Sequence, residues 1–260
     1  EGRLNLDELE SLLDQRVRLL ALTAISNVLG SVNPLRKIIA RAHLSGTRVL
    51  VDAAQAAARM PLDVQELGCD FLTFSGHKVY GPTGIGVLWV HKDRLSEMEP
   101  WQSGGGMISR VERFHSSWSE APARFEAGTP PVAEAIGLRA ALGFLQTLSF
   151  DWIREHEQRL TGLALERLKG EADVTLYGPL TTEMRAGVVA FNLDGVHPHD
   201  VAQVLDESGI AVRAGHHCTQ VLHSRLGVQA SVRLSIGVYN TEEEIERLVS
   251  ALQHVRDLLQ

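Results

Sequence analysis

The chain has 260 residues, 44% hydrophobic and 22% charged, an ordinary soluble composition with enough length for one large α/β domain or two smaller ones. Its net charge of −7 and the scatter of its Lys and Arg residues exclude a phosphate-tracking face, so nucleic acid is not an expected partner. No apolar stretch reaches bilayer length, so no membrane partner is expected either.

The opening residues read like the middle of a longer protein. Asn5 to Gln15 has helical spacing, with Leu6, Leu9, Leu12 and Leu13 on one face and Asn5 and Glu8 placed for a capping-box-like start. Val17 to Ile25 is an apolar strand candidate, followed by a loop at Ser26–Gly30. Leu35 to Ser45 reads as a helix, with Pro34 at its start and Gly46 as its stop. Strands are expected at Arg48–Asp52, Phe71–Ser75 and Gly86–Val90. They are apolar throughout and alternate with helices, which predicts a largely parallel sheet covered on both faces. Asn27, Asp52, Gln55 and Lys78 follow C-terminal strand ends, the edge where open α/β sheets bind ligands.

Residues 99–130 form a long Gly- and Ser-rich connection, of the kind that is functional or mobile. Helical patterns cover Pro131–Thr147 and Asp151–Lys169. A second unit follows Gly170, with strands near Val174–Tyr177, Gly187–Leu193, Ile210–Arg213 and Val232–Ile236, and helices near Pro198–Ser208 and Thr241–Leu259. The boundary is expected near Leu148, giving domains 1–147 and 148–260.

Two positions stand out chemically. Lys78 lies in a loop of small residues after a buried strand, and desolvation there would make its amine a nucleophile able to form a Schiff base with an aldehyde cofactor. Asp52 ends another buried strand and suits the ring nitrogen of that cofactor, although an Asp at a strand-to-helix junction is also a ready N-cap. Cys69 and Cys218 lie outside any C-x-x-C pair, which argues against a zinc ribbon, a thioredoxin-type site or a disulfide framework. With no signal peptide visible, that usage points to the reducing cytoplasm. Cys69, before a strand, reads as core packing. Cys218 has Arg213, His216 and His217 beside it, and Gly215 gives the backbone room to turn. That favours a reactive thiol over a small buried hydrophobe. A metal held by His216, His217, Cys218 and His223 is disfavoured by the adjacent spacing, so no metal is expected.

Asp52-Ala53-Ala54-Gln55 followed by Ser75-Gly76-His77-Lys78 resembles the class V aminotransferase group of pyridoxal 5'-phosphate (PLP) enzymes. Arg213-Ala214-Gly215-His216-His217-Cys218 narrows the likeness to SufS-type cysteine desulfurases and the related selenocysteine lyases. The resemblance runs from Asn27 to the C-terminal helix. It implies an α/β fold, with a PLP-dependent transferase-like large domain on a mostly parallel, N-terminally incomplete sheet, and a smaller α+β C-terminal domain. It implies that Lys78 carries PLP, that Asp52 faces the pyridine nitrogen, and that Gln55 reaches the phenolic oxygen unless it is simply an exposed glutamine. Ser75 and His77 would hold the phosphate, and Gly128-Thr129 would reach it across a homodimer interface.

Asn27 and Arg233 would bind the substrate carboxylate, with a structural ion pair the alternative for Arg233, and Arg213 would be a further substrate-binding residue. Cys218 would take sulfur from L-cysteine, or selenium from L-selenocysteine, and pass a persulfide to an acceptor protein of Fe–S cluster assembly. The resemblance also implies a missing N-terminal portion that would carry the histidine stacked on the cofactor ring and a phosphate-binding helix start. The chain then reads as a fragment, a processed form or an incomplete gene product, and a non-catalytic fragment stands beside the enzymatic reading.

Overall fold

The computed structural model describes residues 2–260. In chain order it contains α1 (Leu9–Leu12), β1 (Leu19–Thr23), α2 (Leu35–Leu44), β2 (Arg48–Asp52), α3 (Val64–Leu67), β3 (Phe71–Ser75), β4 (Gly86–Val90) and α4 (Lys92–Leu95). Then come β5 (Ile108–Val111), β6 (Ser116–Trp118), α5 (Val132–Leu148) and α6 (Phe150–Lys169). The last elements are β7 (Val174–Tyr177), β8 (Val188–Leu193), α7 (Pro198–Glu207), β9 (Arg213–Gly215), α8 (Gln220–Leu226), β10 (Ser231–Ser235) and α9 (Glu242–Leu259).

The first sheet has the order β1-β2-β3-β4. Its first three strands are parallel, and β4 returns antiparallel along β3, setting Ser75 opposite Gly86. Leu35, Ile38, Ile39 and Ala42 are buried on α2 at i, i+3, i+4 and i+7. Leu35, Ile39 and Ala42 pack in one cluster with Val49, Val51 and Leu72. Burial of each such aliphatic side chain stabilises the layer by about 2 kcal/mol. The parallel pairing brings the C-terminal ends of β1, β2 and β3 to one edge, and the segments carrying Asn27, Gln55 and Lys78 all leave from there.

Three expectations need correction. Leu19 and Leu88, on the face opposite α2, are 47% and 54% exposed, so this chain covers the sheet on one face and not on both. The N-terminal helix shrinks to Leu9–Leu12, because Asn5 accepts the Asp7 N–H at 3.0 Å and donates to Glu8 at 3.2 Å. That local turn competes with the helix over residues 5–8. The strand expected at Ile210–Arg213 runs instead from Arg213 to Gly215. Ile210 donates its N–H to the Leu205 carbonyl at 2.9 Å, which holds it at the end of α7 and out of the ladder.

The second sheet, β7-β8-β10-β9, is antiparallel throughout. Phe191, Leu193 and Val232 are packed by Leu168 of α6, Leu205 of α7 and Leu252 of α9. The start of α9 is fixed by a capping box between Thr241 and Glu244. The 99–130 connection contains the β5–β6 hairpin and a 3-10 turn at Ala123–Phe125, so part of it is regular structure.

Arg185 ties the second sheet to the loop after β1. It is 3% exposed, forms a β-bridge with Ser31, and donates to the carbonyls of Val188 and Tyr177 at 2.9 Å each and to that of Pro179. Burial lowers its pKa to about 10.

Candidate active site

Lys78 ends a 3-10 turn that begins as β3 stops. Gly76 makes this turn feasible, since a Cβ there would stand 2.8 Å from Ile85 Cγ2 and 3.0 Å from the Ile85 carbonyl oxygen. Its carbonyl accepts from the N–H groups of Val79 and Gly81 at 3.0 Å each. Val79 is fully buried with Ala58, Leu138 and Ile153, which anchors the turn from below. Tyr80 follows with φ of 63°, a left-handed conformation costly for a bulky residue, and its hydroxyl accepts the Val238 N–H at 3.3 Å. Burial raises the pKa of that phenol.

The turn presents Lys78 at a cavity of about 230 Å³ shared with Gln55, Arg59, His77, Arg233 and Tyr239. Lys78 is exposed there, which corrects the expectation of a desolvated amine. Asp52 is half-buried at the end of β2, and its Oδ1 accepts the Ala54 N–H at 2.8 Å. It therefore opens the turn that carries Gln55, with no helix following for it to cap. Ser75 sits at the N-terminus of the 3-10 turn without capping it, and His77 is exposed. Gly128 and Thr129 do not line the Lys78 cavity. The Gly128 N–H is held by the Gly105 carbonyl at 2.8 Å, and Thr129 is exposed.

Cys218 lies on a turn of unusual backbone. Gly215 has φ of 120°, and His217 and Cys218 follow with φ of 51° and 64°. Two consecutive non-glycine residues in the left-handed region cost about 1–2 kcal/mol each, so other contacts must hold them. Asn27 donates its amide to the His217 carbonyl at 2.7 Å. The His217 ring is buried at 2% exposure, with Nε2 at 3.0 Å from the Ser231 carbonyl and 3.1 Å from its hydroxyl. The thiol itself is exposed, which excludes the buried-hydrophobe reading, and Arg213 Nη2 points at Sγ from 3.9 Å. Cys69 is buried in the first sheet's core, as expected, and burial raises its thiol pKa. Among the described residues no cluster of three His, Cys, Asp or Glu side chains is arranged for a metal.

Arg233 links the two halves of the site. It lines the Lys78 cavity and donates Nη1 to the Asn27 carbonyl at 3.0 Å and Nε to Ser235 Oγ at 3.1 Å. These partners are neutral oxygens, so the ion-pair alternative is not what the structure contains. Burial, and then Arg213 and Arg59 nearby, lower its pKa and favour an incoming anion. Burial first, then Arg233, lowers the His217 pKa to about 4 and keeps that ring neutral.

Sequence reasoning missed Arg59, Tyr80 and Tyr239. Arg59 pairs with the buried Glu157 of α6 and donates to the Ile236 carbonyl at 3.2 Å, while Glu157 accepts the Gly187 N–H at 3.3 Å. The one sequence signal for it was a lone arginine closing the small-residue run Ala53–Ala58.

The donor set fits PLP. An unburied amine, a carboxylate at the neighbouring strand end, and a hydroxyl and an imidazole flanking the amine suit an aldehyde-bearing pyridine phosphate. The guanidinium of Arg233, facing the same cavity without an acidic partner, suits a substrate carboxylate.

The sequence profile of the aminotransferase class-V family matches residues 1–248, and the chain belongs to that family. The chain is 51% identical over all 260 residues to a cysteine desulfurase of Escherichia coli strain UMN026, and 52% identical to one of Klebsiella pneumoniae strain 342. It spans 63% of the length of each of these relatives. Among solved structures it superposes on the cysteine desulfurase CsdA from Escherichia coli with a TM-score of 0.92 at 40% identity, covering 98% of this chain and 63% of that one. An apo cysteine desulfurase from Thermococcus onnurineus NA1 gives 0.91 at 38% identity, covering 100% and 64%.

Proposed function

We propose that the chain carries the lysine and thiol chemistry of a PLP-dependent cysteine desulfurase. L-Cysteine is converted to L-alanine, its sulfur is left as a persulfide on Cys218, and the persulfide serves an acceptor protein of Fe–S cluster assembly in the cytoplasm. One observation supports this most. Arg233 lines the Lys78 cavity and, through Asn27, joins it to the strained turn presenting Cys218. An amino acid held by its carboxylate on Arg233 would lie between an amine that can move its Cα proton and a thiol that can reach its sulfur.

Lys78 would hold PLP, with Asp52 at the ring nitrogen, Gln55 at the phenolic oxygen, and Ser75 and His77 at the phosphate. When bound, PLP supplies the electron sink that makes the Cα proton acidic. Gly128 and Thr129 lie away from the Lys78 cavity, which suits service to the phosphate of a second copy in a homodimer. The division into domains 1–147 and 148–260 would place Lys78 in one and Cys218 in the other.

The test is alanine and sulfide production from cysteine with added PLP, for the native chain, Lys78→Ala and Cys218→Ala. Loss of turnover in both variants is expected, and equal turnover in all three would refute the reading. Selenocysteine as a competing substrate separates a desulfurase from a selenocysteine lyase, which would prefer it strongly.

A further inference from the structure

Beneath the Cys218 turn lies a chain of buried polar side chains that no step above uses. His217, His223 and Ser231 are 2%, 1% and 0% exposed. The distances favour one assignment of protons. His217 Nε2 faces the Ser231 carbonyl, which only accepts, so Nε2 carries the hydrogen and also reaches Ser231 Oγ. His223 Nδ1 lies 3.1 Å from the Thr219 carbonyl and 3.4 Å from the Thr219 hydroxyl, whose hydrogen is given to the His216 carbonyl at 2.8 Å, so Nδ1 donates to the Thr219 carbonyl. His223 Nε2 is therefore an acceptor, and it takes the Ser231 hydroxyl hydrogen at 3.0 Å. Thr219 returns to the turn by donating Oγ1 to the His216 carbonyl at 2.8 Å. The loop runs from His217 through Ser231 and His223 to Thr219, and His217 and Thr219 stand on either side of the exposed Cys218.

We propose that His217, Ser231 and His223 act as positioning residues for the thiol, forming a closed imidazole–hydroxyl–imidazole chain that holds the Cys218 turn in its left-handed conformation beside Arg213. Three observations converge on this. The two residues with costly φ are His217, whose ring is the first link, and Cys218, which follows it. Ser231 opens β10, a strand locked between β8 and β9, so the anchor is rigid. His223 lies in α8, directly after the turn, and Ser231 opens the next strand, so the chain ties the turn to both elements that follow it. Without this chain the turn would relax to ordinary φ values and carry Sγ away from Arg213.

The proposal rests on the desulfurase reading only in giving Cys218 a reaction. Its test needs neither cofactor nor substrate, so the two can fail separately. The native chain, His217→Leu, His217→Gln and Ser231→Ala are each alkylated with iodoacetamide at fixed pH, and modification of Cys218 is followed by peptide mapping. Buried Cys69 serves as the silent internal control. His217→Gln keeps an N–H near the position of Nε2, whereas His217→Leu keeps only bulk. The expected result is at least fivefold slower alkylation in His217→Leu and Ser231→Ala, recovery to within twofold of native in His217→Gln, and cooperative unfolding retained. Native rates in Ser231→Ala, or equal slowing in His217→Leu and His217→Gln, would overturn the proposal. If His217→Leu does not fold, Ser231→Ala decides.

Discussion

Asn27 donates its side-chain amide to the His217 carbonyl at 2.7 Å across 190 residues of sequence, and its own carbonyl accepts from Arg233 at 3.0 Å. One residue of the loop after β1 thus fixes both the thiol-bearing turn and the cavity's guanidinium. Asn27→Ala leaves the His217 carbonyl without its donor and is expected to cost about 1–2 kcal/mol. Urea unfolding measures the loss. If the chain has the proposed desulfurase activity, the same variant should slow sulfur transfer, because the turn loses its latch to the first sheet.

Arg59, which lines the Lys78 cavity, forms a clasp with Glu157, which is 6% exposed. Removing one partner strands a buried charge. Glu157→Leu should cost about 3 kcal/mol, while Arg59→Met combined with Glu157→Leu should recover most of it. A double-mutant cycle by denaturant unfolding checks the coupling. A loss in the double variant equal to the sum of the two single losses would show that the pair is not coupled.

His217 gives a pH dependence of definite sign. Burial and the nearby Arg233, His223 and Arg213 hold its pKa at about 4 against an ordinary value of 6.5. The unfolded chain therefore binds the extra proton first, and stability from this group falls as pH drops from about 6.5 to about 4. The loss over that window is on the order of 3 kcal/mol. Unfolding at pH 7 and pH 5 should differ less in His217→Gln than in the native chain, and an unchanged difference would contradict the assignment of a neutral ring.

Gly76 has no room for a side chain. An added Cβ meets Ile85 within 3.0 Å on both its side chain and its backbone. Gly76→Ala should destabilise by about 1–3 kcal/mol and displace Lys78 from the cavity edge. Thermal unfolding reads the first effect and PLP titration the second.

Much of this architecture was legible in the sequence. Phe71–Ser75 and Gly86–Val90 match their predicted strands, because short apolar runs bounded by Gly and Pro carry little ambiguity. Val64–Leu67 and Lys92–Leu95 escaped notice because four residues show no helical period. Ile210–Val212 misled because its apolar character serves contact with α7, not pairing with β10. Lys78, Asp52 and Cys218 stand out in the sequence by pattern. The Arg59–Glu157 clasp and the His217–Ser231–His223 chain do not, because each joins residues whose neighbours in sequence carry no signal of the contact.

The central claim is that this chain assembles a cofactor site around Lys78. The most direct measurement is addition of PLP to the purified chain, reduction with borohydride, and peptide mapping of the adduct. The account predicts a pyridoxyl group on Lys78, with Lys37, Lys92 and Lys169 unmodified at the same PLP concentration. An adduct spread evenly over the four lysines, or none at all, would contradict it.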